Sequence, residues 1–197
     1  RYSMYVVMNI DNKSIEPILN KIDSNKLLIL DMGKPTNDKH NFILQEFSTS
    51  VQQCLSKSVD QLKKYNQLTL VYAKNKTPHP EEIVIATQKF CALNGISFQQ
   101  KPQLNNDEIK KGQVYFTIRD ADLVQIIKVC RSKEFVLGED VGVISYNETP
   151  MKQIVGGGIT VISIDFELMG KKAADFVRNK KSIQVIIPTS LIVRESL

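Results

Sequence analysis

The chain has 197 residues, of which 42% are hydrophobic and 24% charged, and its formal net charge is +5. This composition is that of an ordinary globular protein, long enough to bury one large core or two modest ones. No apolar run approaches the roughly 18 residues of a membrane span, and no signal-peptide pattern opens the chain, so we expect a soluble cytoplasmic protein without membrane contact.

The first predicted elements form a β-α-β unit. Met4 to Ile10 is an apolar run typical of a strand, Ser14 to Ile22 follows as a helix, and Leu27 to Leu30 is a second strand ending on Asp31. Two parallel strands joined in this way require a crossover, which is right-handed in nearly all proteins. The polar loop that follows carries His40, which we expect to be solvated and without a function.

The middle of the chain predicts a helix, a strand and a second helix. Apolar residues recur at helical spacing from Val51 to Leu62, Leu68 to Tyr72 is strand-like, and another helix begins near Ile83 and stops at Gly95. The loop before that helix holds His79 between two prolines, which restrict its backbone. His79 is therefore either a ligand contact beyond the end of a strand or a solvated or capping residue.

Two charged residues follow the next predicted strand, Val114 to Ile118. Asp120 is expected to cap the helix that comes next, because a carboxylate can accept hydrogen bonds from the free amides of a first turn. Arg119 precedes it and lies at the carboxyl end of the strand. That position makes Arg119 a candidate for contact with a ligand.

The stretch from Glu139 to Gly170 contains the two clearest strands. Val141 to Tyr146 and Thr160 to Ile164 are short, β-branched and apolar on both faces, as in a parallel sheet covered by helices on each side. Asn147 follows the first strand, and Asp165 follows the second and can cap a helix. Because ligands of open α/β sheets bind outside the carboxyl ends of the strands, both residues are candidate ligand contacts.

This order of elements resembles the closing part of the effector domain in lactose-repressor-type regulators. It comprises a strand, a polar residue at a tight turn, a loop broken by glycines 156–158, a T-x-I strand, an acidic residue and a helix with L-M-G. Residues 188–196 (PTSLIVRES) resemble the family's final strand, with its P-x-x-L-I-x-R-x-S signature. The sequence YNETP at residues 146–150 is most similar to the branch in which this domain follows a GntR-type winged helix.

The resemblance implies an α/β fold of the type I periplasmic-binding-protein-like class. We expect two Rossmann-like lobes with parallel sheets and a ligand cleft between them. Residues 1–46 and 165–180 would form the N-terminal lobe, incomplete at its N-terminus. Residues 47–164 and 181–197 would form the C-terminal lobe.

The resemblance also implies individual ligand contacts. Asp31 matches the family's acidic contact, and Asn147 takes the position of its usual aspartate. Asp165 is next to Ile164, which stands where many members have a polar contact. Arg119 replaces the family's asparagine, and it either contacts the ligand or forms a salt bridge between the lobes.

These residue types predict a site for a sugar or a related small polyol. Carboxylate, amide and guanidinium groups present paired acceptors and donors that suit neighbouring hydroxyls on a sugar ring. A sugar site usually has an aromatic face too, which Tyr146, Tyr72, Phe47 or Phe166 would supply unless they belong to the core. The full set of candidate ligand contacts is Asp31, His79, Arg119, Tyr146, Asn147 and Asp165.

The cysteine and lysine patterns do not indicate a metal or nucleic-acid site. The three widely spaced cysteines, Cys54, Cys91 and Cys130, lie in predicted helices, so buried thiols are favoured over a metal or redox site. Most lysine doublets lie near helix ends or in loops, which is typical of a solvated surface rather than a DNA-contacting groove. We therefore predict no cofactor and no metal.

The sequence predicts the effector-sensing domain of a cytoplasmic transcriptional regulator. Ligand would close the lobes and alter DNA binding by a winged-helix domain outside this chain, and the resemblance implies a homodimer. An exported sugar-binding protein of a transport system is the alternative. An enzyme is less favoured, because phosphate-loop, dinucleotide-binding and G-x-S-x-G motifs are absent, and a glycosidase-like carboxylate pair could come only from Asp31 with Asp165.

Overall fold

The computed structural model describes residues 3–8, 15–32, 39–76 and 79–197. Within these ranges the strands are β1 (Tyr5–Met8), β2 (Leu27–Asp31), β3 (Asn41–Gln45), β4 (Gln67–Val71), β5 (Ser97–Lys101), β6 (Gln113–Thr117), β7 (Val141–Tyr146), β8 (Thr160–Ser163), β9 (Gln184–Ile187) and β10 (Ser190–Ile192). The α-helices are α1 (Glu16–Leu19), α2 (Thr49–Lys57), α3 (Val59–Leu62), α4 (Glu82–Asn94), α5 (Asp120–Ser132), α6 (Pro150–Ile154) and α7 (Phe166–Asn179). The predicted end of the first strand, the predicted helix start at Ser14 and the proline before His79 lie outside the described residues.

The chain divides into two compact units. The first comprises residues 1–46 and 164–188, and the second comprises residues 47–163 and 189–197. Strand β9 pairs in parallel with β3, so residues 181–188 lie in the first unit. The predicted boundary after residue 180 had assigned them to the C-terminal lobe.

The first unit contains a parallel sheet in the order β1-β2-β3-β9. Successive residues of a strand point to opposite faces, and β2 follows this rule. Leu28 packs in a cluster with Phe176 of α7, whereas Leu27 and Ile29 pack in another cluster with Leu19 of α1. Both faces of the sheet are therefore covered, which explains why β2 is a continuous apolar run.

The second unit contains a sheet in the order β10-β8-β7-β6-β4-β5. All neighbouring strands are parallel except β10, which runs antiparallel to β8. Residues of α5 pack with Tyr115, Val143 and Val161 in one cluster, while α2 and α4 pack against each other. Every residue of β7 is buried, as expected for a central strand of a parallel sheet.

The last residues of the chain are bound to the centre of this sheet. The hydroxyl of Ser196 donates to the carbonyl of Val143 (2.7 Å) and accepts from the amide of Thr160 (2.8 Å). The guanidinium of Arg194 donates to the carbonyl of Ile159 (2.7 Å) and also pairs with the carboxylate of Glu148. The arginine and serine of the terminal signature are thus structural residues that hold the C-terminus to β7 and β8.

The three cysteines are buried thiols. Cys54, Cys91 and Cys130 are all buried and unpaired. Burial raises the pKa of Cys91 to about 12 and that of Cys130 to about 11, so both are neutral thiols at physiological pH. The prediction of buried free thiols is confirmed.

Candidate functional site

An aromatic cluster lies at the carboxyl end of β7 in the second unit. Tyr146 stacks on Phe47 with ring centroids 6.1 Å apart and meets the ring of His79 edge to face at 5.1 Å. Phe116 packs against the same tyrosine at 6.4 Å, and Phe47 meets His79 at 6.2 Å. These four residues, Phe47, His79, Phe116 and Tyr146, are called the aromatic cluster below.

A hydrogen bond to its backbone carbonyl helps to hold His79 in this cluster. The Tyr72 hydroxyl donates to the carbonyl oxygen of His79 at 2.8 Å. Burial raises the pKa of Tyr72, so its hydroxyl keeps its proton and remains a donor near neutral pH. The histidine predicted to lie beyond the end of β4 contacts Tyr146 at the end of β7 and is half-buried, and its role as a ligand contact stays a prediction.

Asn147 follows Tyr146 in a strained backbone conformation. Its φ is +62°, in the left-handed region where asparagine is one of the better tolerated residues. Its backbone N–H donates to the carbonyl of Ile162 at 2.9 Å. Its side-chain Oδ1 is buried and has no hydrogen-bond partner among the described residues. A buried polar atom without a partner costs about 1–3 kcal/mol, so an acceptor in this position is suited to a donor from a ligand.

Lys152 fixes the turn that carries Asn147. Its ammonium is 4% exposed and donates to the carbonyls of Tyr146 and Asn147, each at 2.9 Å. It also forms an ion pair with Asp120 at 2.9 Å. Sequence reasoning missed this lysine, because nothing in the pattern of the short helix α6 distinguishes a buried lysine from a solvated one.

The charged junction after β6 differs in part from the prediction. Arg119, not Asp120, is the residue at the N-cap position of α5; no side-chain cap bond forms, and Asp120 is the first helical residue. The Asp120 carboxylate binds Lys152 instead. The helix amides lose little from the missing cap, since acidic residues in the first turn still favour the helix dipole.

Arg119 is held by its own helix. Its Nε and Nη2 donate to the two carboxylate oxygens of Asp122 at 2.8 and 2.6 Å, and this pairing raises the pKa of Arg119. Such a bidentate pair fixes the guanidinium plane. Because β6 and β7 are paired neighbours, Arg119 and Asn147 follow adjacent strands of one sheet.

The two acidic candidates lie in the first unit and have structural partners there. Asp31 ends β2 with a φ of +75°, is buried, and accepts a hydrogen bond from the Gln45 side chain. Asp165 caps α7, as its sequence position predicted, by accepting from the amide of Leu168 at 2.8 Å. A carboxylate has further lone pairs, so neither bond by itself uses up the acceptor capacity of the group.

The described residues contain no group of three histidine, cysteine, aspartate or glutamate side chains that could hold a metal ion. In the same part of the chain, no helix combines the length and apolar character needed to cross a bilayer.

A family model described as a periplasmic binding protein-like domain matches residues 45–197. The chain belongs to the periplasmic binding protein-like family. A curated relative, the HTH-type transcriptional regulator GalR of Streptococcus thermophilus, is 23% identical over an alignment of 184 residues. The match covers 83% of this chain and 55% of that protein. The chain therefore spans about half the length of this relative.

Solved structures agree with the family assignment at the level of the fold. The transcriptional repressor ascG of Escherichia coli matches with a TM-score of 0.74 at 13% identity, covering 100% of this chain and 79% of that one. The xylose-binding transcription activator xylR matches with a TM-score of 0.72 at 14% identity, covering 98% of this chain and 58% of that one. The predicted periplasmic-binding-protein-like α/β fold and the lactose-repressor-like resemblance are confirmed.

The relatives named above are transcriptional regulators, not enzymes. In the second unit, Tyr146 and His79 are in contact, and Asn147 directly follows Tyr146 in the sequence. Phe47 joins the same cluster, although its sequence context distinguished it only as one of several aromatic candidates.

Proposed function

We propose that this chain is the effector-sensing domain of a cytoplasmic transcriptional regulator, and that its effector is a sugar or a related small polyol. A regulator as relative and a xylose-binding activator among the fold neighbours support this function. DNA binding is assigned to a winged-helix domain of the GntR type outside this chain, on the strength of the YNETP sequence at residues 146–150. The working unit is proposed to be a homodimer.

The unpartnered Oδ1 of Asn147 carries the proposal most directly. The oxygen is buried, has no donor among the described residues and belongs to the residue that follows Tyr146 of the aromatic cluster. It can accept from a sugar hydroxyl, and His79, the half-buried member of a cluster whose other rings are buried, is the ring that can face a ligand. A site built to bond a hydroxyl discriminates strongly, because an analogue without it leaves the protein acceptor unpaired.

The remaining candidates are proposed as secondary contacts. Arg119 Nη1 is not used in the pair with Asp122 and can donate to a ligand hydroxyl. Asp31 and Asp165 keep free acceptor capacity beside their structural bonds. His79, which is half-buried, contributes ring surface, whereas Tyr146 is buried and supports His79 from the core. We expect Asn147 to matter most, because it alone of these residues has a buried side-chain atom without any partner among the described residues.

A thermal-shift screen tests this function. Monosaccharides and phosphorylated sugars are added to the protein, and a true effector at about a hundredfold excess over its dissociation constant should stabilise the fold by about 2.7 kcal/mol. The chemistry of the site predicts that hits share a hydroxyl able to donate to Asn147. If no sugar in a broad panel raises the melting temperature, the sugar-sensing function is wrong.

A further inference from the structure

A polar pocket lies on the sheet of the second unit. Its wall is formed by β4, β5, β6 and the loop between β5 and β6. The polar residues that line it are Thr69, Gln99, Lys101, Glu108, Lys110, Gln113 and Tyr115, and we call it the edge pocket. Thr69, Gln99 and Tyr115 share one register row of the sheet, at the third position of β4.

The buried hydroxyl of Thr69 has no evident structural role in the strand. The residue is 1% exposed, and its Oγ1 has no hydrogen-bond partner among the described residues. It lies in the middle of a strand, where a valine of nearly the same shape would remove the polar atom. A hydroxyl retained there, facing a pocket, indicates a partner that the chain itself does not provide.

The other groups around the edge pocket are mainly donors. The Tyr115 hydroxyl lies 2.7 Å from both the Glu108 carbonyl and the Gln113 Oε1, and its single proton can be donated to only one of them. The Gln113 amide nitrogen makes no hydrogen bond to the described residues. The backbone amide of Lys110 donates to Tyr115 at 3.0 Å, and no partner within those residues binds the Lys110 ammonium. Gln99 adds a second side-chain amide.

The charge balance of the edge pocket is positive. Lys101 pairs with Glu108, and the hydrogen bond from Lys101 lowers the pKa of Glu108, which keeps this pair ionised and mutually neutralised. Glu108 also interacts electrostatically with Lys110, so its one negative charge faces the ammonium groups of both lysines and the lining keeps a net positive charge. The pocket volume is about 180 Å³, below the roughly 300 to 1,000 Å³ of pockets for drug-sized ligands. The pocket therefore suits a small ligand.

We propose that the edge pocket binds a small anion through carboxylate or phosphate oxygens, at a site separate from the sugar site. Thr69 donates its hydroxyl proton, Lys110 supplies the charge, and the Gln99 and Gln113 amides complete the donor set. An anion in this position would join β4, β5 and β6, and would thus stabilise the edge of the sheet. The proposal stands independently of the sugar-sensing function.

Isothermal titration with inorganic phosphate and with succinate tests this site, using chloride at matched ionic strength as the reference. The two probes distinguish phosphate oxygens from carboxylate oxygens. We expect one of them to bind, and Lys110→Gln and Thr69→Val each to weaken that binding about tenfold or more, equivalent to about 1.4 kcal/mol. Thr69→Ser, which keeps the hydroxyl, should bind as the parent does.

Lys89→Gln is the matched control, because Lys89 is an exposed lysine of the same unit on α4 and does not line the pocket. It should leave anion binding unchanged. Absence of binding by both probes would overturn the proposal, as would equal losses in Lys110→Gln and Lys89→Gln. Because Lys110 is exposed, its variant keeps the test valid even if a Thr69 variant folds poorly.

Discussion

At the scale of single residues, Lys152 determines the geometry of the candidate site without belonging to the predicted set. Its buried ammonium binds two consecutive backbone carbonyls, those of Tyr146 and Asn147. Those bonds hold Asn147 in its left-handed conformation and thereby set the position of its side-chain amide. The cost of burying the charge is offset by these two bonds and by the ion pair with Asp120.

Replacement of this lysine should destabilise the fold. Lys152→Met keeps the apolar stem but leaves two carbonyls without their donor, so we expect a loss of about 2–4 kcal/mol in the free energy of unfolding. Urea denaturation measures it. Asp120→Asn is the comparison: it leaves both carbonyl bonds of Lys152 in place, and the asparagine oxygen can still accept from the ammonium, so the loss should be smaller than for Lys152→Met. Equal losses in the two variants would contradict the assigned role.

The residue types at the strand ends predicted the backbone conformation there better than they predicted the side-chain contacts. Asp31 and Asn147 were selected because polar residues end apolar runs, and both have the positive φ that such tight turns require. The partners of Arg119 and Asp120 could not be predicted, because they depend on where α5 and α6 pack in space. His40 was expected to be solvated but is buried.

At the scale of elements, the terminal signature shows how a sequence motif can be structural. Ser196 connects β7 to β8 at a point where the sheet ladder alone does not satisfy Val143 and Thr160. The same stretch carries the antiparallel strand β10, which closes the edge of the sheet next to β8. The last residues are thus part of the scaffold that supports the site.

Removal of this hydroxyl should therefore weaken the second unit. Ser196→Ala leaves a buried amide and a buried carbonyl unpaired, which predicts a loss of about 2–4 kcal/mol in the free energy of unfolding. Ser190→Ala, an exposed serine with a single long hydrogen bond of 3.4 Å, should cost less than about 1 kcal/mol. Chemical denaturation of both variants is the measurement, and a loss below 1 kcal/mol for Ser196→Ala would refute the role.

Element order and type could be predicted because helical and strand periodicities are local properties. The positions of β7, β8 and α7 and the Asp165 cap follow from such patterns, and the structure confirms them. Strand β5 (Ser97–Lys101) is polar and depends on pairing with β4, so local periodicity does not show its extent. The residues of β9 were assigned to the C-terminal lobe, because the local sequence does not show which strands pair with each other.

At the scale of the whole molecule, buried neutral thiols predict how stability depends on pH. Burial raises the pKa of Cys91 to about 12 and that of Cys130 to about 11, from the ordinary thiol value of 9.0. Above about pH 9 the unfolded chain loses these protons while the folded chain keeps them. The free energy of unfolding should therefore be unaffected by these groups below pH 9 and should fall as the pH rises towards 11 or 12.

Urea denaturation between about pH 8 and about pH 10.5 measures this fall. Titration with a thiol reagent at neutral pH provides the companion test, since the buried thiols should react only after unfolding. Rapid reaction of all three cysteines in the native protein would contradict the assigned burial. Stability that is constant up to pH 10.5 would contradict the raised pKa values.

The most direct test of the sensing function is sugar binding by an Asn147→Gly variant, with isothermal titration of the best sugar from the screen. Glycine tolerates the positive φ, so the variant should fold like the parent and lose only the amide. Lys180→Gly is the matched control, because Lys180 also has a positive φ (+54°) and ends α7 in the first unit, whereas the aromatic cluster belongs to the second. We predict that Asn147→Gly weakens sugar binding by about 1–3 kcal/mol, roughly 5- to 150-fold, while Lys180→Gly binds normally. Unchanged affinity in Asn147→Gly would contradict the proposed site.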